Sequence, residues 1–176
     1  MSLEKRFTED EIFLLANTPS QIGAVMAFAE GSGLGTIKEM MANSKTVIAG
    51  IKKYPDNEII IGVLPQVGDF KEAMSQAKAM RSKSIAKLEE RKIQSSEQLH
   101  DAILKDCVSV AMILDQKATA QEADEYKQWA MEVAENVAKA AKEGGILGFG
   151  GTQVSDVEKD AFAQIAAALG TTTNLV

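Results

Sequence analysis

The 176-residue chain has one cysteine, one histidine and three prolines. One thiol can neither close an intramolecular disulfide nor supply a thiolate cluster, and one imidazole cannot build a polyhistidine metal site. Zinc and disulfide scaffolds are excluded, and neither a metal nor a cofactor is expected. Positive charge is also short: 19 Lys plus Arg stand against 25 Asp plus Glu, for a formal charge of −6. A chain with an isoelectric point near 4.9 lacks the dominant basic field that general nucleic-acid binding requires. Long apolar runs are missing as well. The longest, Ile59 to Leu64, is interrupted by Gly62 and closed by Pro65, far short of the roughly 20 residues that span a bilayer. Charges run through the opening MSLEKRFTEDE, which leaves no apolar signal segment, so a cytoplasmic protein is expected.

What is abundant is helix punctuation. A capping box pairs a Ser or Thr, accepting an orphan backbone N–H, with a Glu or Gln three residues on that returns the bond. The pattern occurs at Thr8–Glu11, Thr18–Gln21, Thr36–Glu39, Ser95–Gln98, Thr119–Glu122 and Ser155–Glu158, with Asp69–Glu72 as a weaker case. Phe7 and Ile12 sit where a hydrophobic staple would place them, and Pro19 falls where a first helical residue tolerates it. Apolar stripes at three- and four-residue steps follow the boxes. They are Leu99, Ile103, Cys107, Val110, Leu114; then Tyr126, Trp129, Val133, Val137, Ala140; then Val157, Ala161, Phe162, Ile165, Leu169.

This patterning predicts helices over 9–17, 19–30, 36–53, 57–66, 70–92, 96–116, 120–143 and 156–169. Glu58 to Val63, with three consecutive isoleucines, is the one stretch that also reads as a strand. The expected architecture is all-α: a single compact domain, 1–176, of seven or eight short helices in an orthogonal or bundle-like array. A chain of this length buries about two thirds of its unfolded surface and can fold alone. Residues 171–176 carry no stripe and are expected to fray.

Chemistry is harder to find. Cys107 and His100 share a predicted helix, but seven residues at 1.5 Å each place their backbones about 10 Å apart, too far for a catalytic dyad. Cys107 lies within an apolar stripe and reads as a small buried hydrophobe. Asp115, Glu122, Asp124 and Glu125 gather at a helix–helix turn, yet without the alternating Asp/Asn pattern of a Ca²⁺ loop they read as a solvated acidic face. The segment Lys71–Lys92 holds seven basic and three acidic residues, while Gln94–Asn136 holds nine acidic and three basic. Two readings follow: neighbouring helices with opposite fields, or a basic helix that docks an acidic partner or an anionic lipid surface.

Two loops, Gly31–Gly35 and Gly144–Gly151, contain eight of the thirteen glycines. Neither matches a Walker loop or a dinucleotide fingerprint. Both can expose backbone N–H groups as an anion nest, or serve as helix caps and reversals. The second also carries Ile146, Leu147 and Phe149, more apolar than an exposed loop should be. The expectation is therefore a non-enzymatic binding or protein-interaction module, self-association included, with no catalytic residue and with Gly145, Ile146, Leu147, Phe149 and Gly150 at its contact surface. The alternative is a small-ligand protein: an apolar body between helices, and an anionic head on loop N–H groups that include Gly33 and Gly35.

Three stretches carry a resemblance. Val137 to Lys159, running on to Leu169 through the GGILGFGG segment, is similar to the C-terminal signature of a family of small bacterial all-helical proteins without an assigned function. Glu4-Lys-Arg-Phe-Thr and Ser32-Gly-Leu-Gly-Thr-Ile-Lys-Glu resemble the same family. More distantly, Val154-Ser-Asp-Val-Glu with Phe162-Ala-Gln-Ile-Ala resembles the last helix of the tellurite-resistance TerB-type fold. That likeness implies a bacterial, helical protein. The acidic metal-site residues of TerB-type proteins have no counterpart here, so a metal role does not carry over.

Overall fold

The computed structural model describes residues 3–29, 36–64, 70–143 and 155–172. Among them the chain forms a short 3-10 turn at Leu3–Lys5 and seven α-helices. These are α1 (Glu9–Phe28), α2 (Thr36–Lys53), α3 (Glu58–Val63), α4 (Phe70–Glu90), α5 (Ser96–Lys117), α6 (Ala120–Glu143) and α7 (Asp156–Ala168), with no strand. The fold is all-α. The isoleucine run is a helix, capped by Asn57, whose Oδ1 accepts the Ile60 N–H at 3.0 Å. Asn57 also donates to the Glu122 carbonyl and the Glu125 carboxylate, which satisfies a side chain with no solvent exposure.

α6 and α1 form the hub: α6 packs on α1, α2, α3, α5 and α7, and α1 on α2, α3, α5, α6 and α7. The expected stripes lie inward on α5 (Ile103, Cys107, Val110, Leu114) and α6 (Tyr126, Trp129, Val133, Val137), and one buried cluster joins them to α1, α3 and α7. Val157 is an exception, exposed at 58%. At that first turn Glu158 is turned inward instead, closing the capping box with Ser155.

The boxes at Thr8 and Ser155 are formed in full. So is the one at Thr119, where Glu122 N–H donates to Thr119 Oγ1 and Thr119 N–H to Glu122 Oε2. At Ser95 only half forms. Ser95 Oγ accepts the Gln98 N–H, but the Gln98 side chain takes the N–H of Gln94.

The box expected at Thr18 does not exist. Helices 9–17 and 19–30 are one continuous helix with Pro19 inside it, and the Thr18 hydroxyl donates back to the Leu14 carbonyl at 2.8 Å. An internal proline removes the N–H that would reach the carbonyl four residues earlier, here Leu15, at a cost of about 3 kcal/mol in an isolated helix. The buried Tyr126 hydroxyl of α6 supplies the missing donor, 2.7 Å from that oxygen. Burial holds the Tyr126 phenol well above its ordinary pKa, so it remains a donor. Tyr126→Phe should therefore destabilise the protein by about 1–3 kcal/mol, since it orphans a buried carbonyl. In a Pro19→Ala background, which restores the local N–H, the same change should cost less. Equal costs in both backgrounds by urea unfolding would refute this pairing.

Two helix-interior glycines set close crossings. A Cβ on Gly50 of α2 would meet the Trp129 indole at 2.5 Å, and a Cβ on Gly23 of α1 would meet Asn43 at 2.5 Å. Trp129 donates Nε1–H to the Val47 carbonyl at 3.2 Å and stacks edge-to-face on Tyr126, ring centres 5.4 Å apart. Asn43 donates to the Ser20 carbonyl, tying α2 to α1.

The N-terminal turn is pinned by Arg6. Its guanidinium makes two 2.8 Å bonds to Glu122 and a third, of 2.9 Å, to the Lys117 carbonyl at the end of α5. One side chain thus caps a helix C-terminus and binds the first turn of the next helix.

A candidate binding cleft at the α4–α5 corner

The corner between α4 and α5 is built by two caps in five residues. α4 ends in a Schellman motif: Ile93 N–H bonds to Leu88 O, and Lys92 N–H to Glu89 O. α7 ends in the same motif, with Thr171 N–H on Ala166 O and Gly170 N–H on Ala167 O. The motif needs a left-handed residue. α7 uses Gly170 (φ 65°), whereas α4 uses Lys92 (φ 54°), the one non-glycine residue with positive φ among those described. An L side chain in that conformation costs roughly 1–2 kcal/mol that glycine avoids. Ser95 then caps α5 directly.

Between these caps and the first turns of α5 lies an open cleft of about 550 Å³. Arg91 and Asp106 form one side. They are joined by a bidentate pair at 2.7 and 2.9 Å, with the Asp106 side chain only 9% exposed. The hydrogen bond to Asp106 holds the Arg91 pKa above its ordinary value. Lys92 and Lys105 bring two further cations, Asp101 a second carboxylate and Gln98 an amide, and Ile93 and Ala102 supply apolar surface. Neither lysine has an ion-pair partner among the described residues. Two uncommitted ammonium groups beside a small aliphatic surface suit a carboxylate or phosphate attached to a short apolar body.

The residues singled out from the sequence fall differently. Gly33, Gly35, Gly145, Ile146, Leu147, Phe149 and Gly150 all lie outside the described residues. Cys107 has no solvent exposure, and burial, with the Asp106 charge second, pushes its thiol up to about 12, as expected of an inert structural cysteine. His100 sits half-buried at the edge of the α5 stripe, with Nε2 unpartnered among the described residues. Three members of the acidic group at the α5–α6 turn are taken up by protein donors, while Asp124 is exposed. Glu122 is held by Arg6 and Thr119, Glu125 by Asn57 and Gln121, and Asp115 faces Lys127 at 3.7 Å.

The charge complementarity of the basic segment is real but differently partnered. Lys83 and Lys87 reach Glu9 (3.0 Å) and Asp10 (3.2 Å) in the first turn of α1, and among the described residues of the segment it is Arg91 that reaches α5. Negative charge is favoured at a helix start, which is why α1 carries it. Ile85 is 47% exposed, because the inward row of α4 is Met80, Lys83, Ser84, Lys87 and Leu88.

Sequence reasoning found the basic segment but not the cleft. A left-handed lysine has no local signature when neither glycine nor asparagine marks the helix end. No helix among the described residues is long and apolar enough to cross a membrane, and no group of three His, Cys, Asp or Glu there could hold a metal ion. No family model matches the chain, and neither a curated protein nor a solved structure is significantly similar to it.

Proposed function

We propose that the chain is a binding module that takes an anionic group into the α4–α5 cleft. The carboxylate or phosphate sits on Lys92 and Lys105, and the aliphatic part of the ligand lies over Ile93 and Ala102. The observation that carries this reading is Lys92 itself: a cleft-lining lysine without an ion-pair partner among the described residues, held in a backbone conformation that glycine adopts at lower cost. Residues kept in sparsely populated conformations cluster at functional sites.

Lys92→Gly is the discriminating variant. It should stabilise the fold by about 1 kcal/mol, the left-handed penalty being removed. Together with Lys105→Ala it should weaken inorganic phosphate binding about tenfold, equivalent to ~1.4 kcal/mol. Phosphate titration followed by amide chemical shifts at 91–93 and 98–105 reads the second effect. Affinity equal to that of the native protein would overturn the reading.

A second reading, protein contact or self-association through the Gly144–Gly151 loop, is favoured by Ile146, Leu147 and Phe149 standing among five glycines. Phe149→Ser should then weaken an oligomer or partner complex in light scattering or pull-down. Unchanged assembly with a lower melting temperature would make those side chains part of the core.

A further inference from the structure

The way α4 is attached bears on the cleft. None of its described side chains is buried, whereas α5 and α6 each bury a continuous stripe. Among its described side chains, those that tie α4 to α1 do so through exchangeable contacts. Lys83 and Lys87 pair with Glu9 and Asp10, whose side chains are 91% and 84% exposed. The same two ammonium groups lie over the Phe13 ring at 4.7 and 5.1 Å. Ser84 donates to Asn17 Oδ1, and Asn17 Nδ2 faces Met80 Sδ at 3.2 Å. Exposed ion pairs contribute little and are screened by salt. An element with few buried apolar contacts opens at lower free energy than the core does.

The end of this same helix makes one wall of the cleft: Arg91, Lys92 and Ile93 follow its last turn, and the Schellman bonds that set Lys92 require that turn to be helical. We infer that α4 is a releasable strap and that its docking and anion occupancy of the α4–α5 cleft are one coupled equilibrium. The inference rests on the anion-binding reading above. A ligand that binds only the docked form shifts the strap toward docking, and anything that loosens the strap lowers apparent affinity by the same factor.

The test uses the full chain with inorganic phosphate as probe, at ionic strength matched with chloride. Binding is followed by the Lys105 amide shift and docking by hydrogen exchange over residues 78–90. Without phosphate, α4 amides should exchange at least tenfold faster than those of α6, and still faster at high salt. Saturating phosphate should slow them severalfold. A Glu9→Lys/Asp10→Lys variant, which leaves every cleft residue intact, should speed α4 exchange and weaken phosphate binding at least threefold. If phosphate shifts Lys105 while α4 exchange does not change, the coupling is wrong and the cleft reading stands. If phosphate produces no shift at all, both fail. Exchange in α4 as slow as in α6 without phosphate would overturn the strap.

Discussion

Replacing Arg6 with alanine will destabilise the protein by about 3 kcal/mol and will flatten its acid-unfolding profile. The guanidinium bonds twice to Glu122 and once to the Lys117 carbonyl, with side chains only 19% and 11% exposed for the two charged partners. Removing one member of such a pair strands the other charge, which typically costs 3–5 kcal/mol when fully buried and somewhat less here. The same contact governs pH behaviour. The hydrogen bonds from Arg6, aided by those from Thr119, hold the Glu122 carboxyl down at about 2, against 4.5 ordinarily.

A carboxylate with a depressed native pKa contributes stability that is fully present above its unfolded value and lost as pH falls toward the native one. Between about pH 5 and pH 2 the native protein should thus lose about 2–3 kcal/mol from this group alone. Glu11 is lowered as well, by Lys117 first and then by its capping bond to Thr8, and it adds to the loss in the same direction. In Arg6→Ala the steepness contributed by Glu122 should shrink. Urea midpoints at pH 7, 5 and 3 decide the matter, and parallel pH dependences in the two proteins would refute it.

Gly50→Ala will destabilise the protein, although glycine-to-alanine changes inside helices ordinarily stabilise by roughly 0.4–1 kcal/mol. The sign reverses because the new methyl carbon would stand 2.5 Å from Trp129 Nε1 and 2.9 Å from two further indole atoms. A rigid, fully buried indole cannot yield as a flexible side-chain end would. Relieving the clash means separating α2 from α6 or breaking the bond from Trp129 to the Val47 carbonyl. Overpacking of this kind costs about 1–3 kcal/mol, and Gly50→Val should cost more. The chain has a single tryptophan, so its emission reports the event directly. A red shift should accompany the lowered melting temperature. Unchanged emission with raised stability would show that the two helices have room between them.

The helices themselves were legible in the chain. Thr8–Glu11, Thr119–Glu122 and Ser155–Glu158 are formed as their spacing predicts. The Ile103–Leu114 and Tyr126–Val137 stripes lie inward because a 3.6-residue period leaves them no other common face. The failure at Thr18–Pro19–Gln21 shows where local reading stops. That stretch carries every mark of a helix start, yet Tyr126, 111 positions away from Leu15, supplies the donor that lets the helix run through. Gly50 shows the same limit. Inside a predicted helix it registers only as a weak former, and its reason is a side chain on α6. At the candidate site, the surplus of Lys and Arg over 71–92 was visible, but its division between the α1 carboxylates, Asp106 and the cleft was not.

Backbone hydrogen bonding and hydrophobic period are short-range, so residues within four positions of one another sufficed to specify an all-helical chain and most of its helix starts. Which carbonyl receives the tyrosine hydroxyl, where an indole needs a bare backbone and which carboxylates pair with Lys83 and Lys87 all depend on partners dozens of positions apart. Their proximity comes only from burying the α1–α6 hub. The capping oxygens therefore chose the secondary structure, and packing chose the charges left facing the cleft.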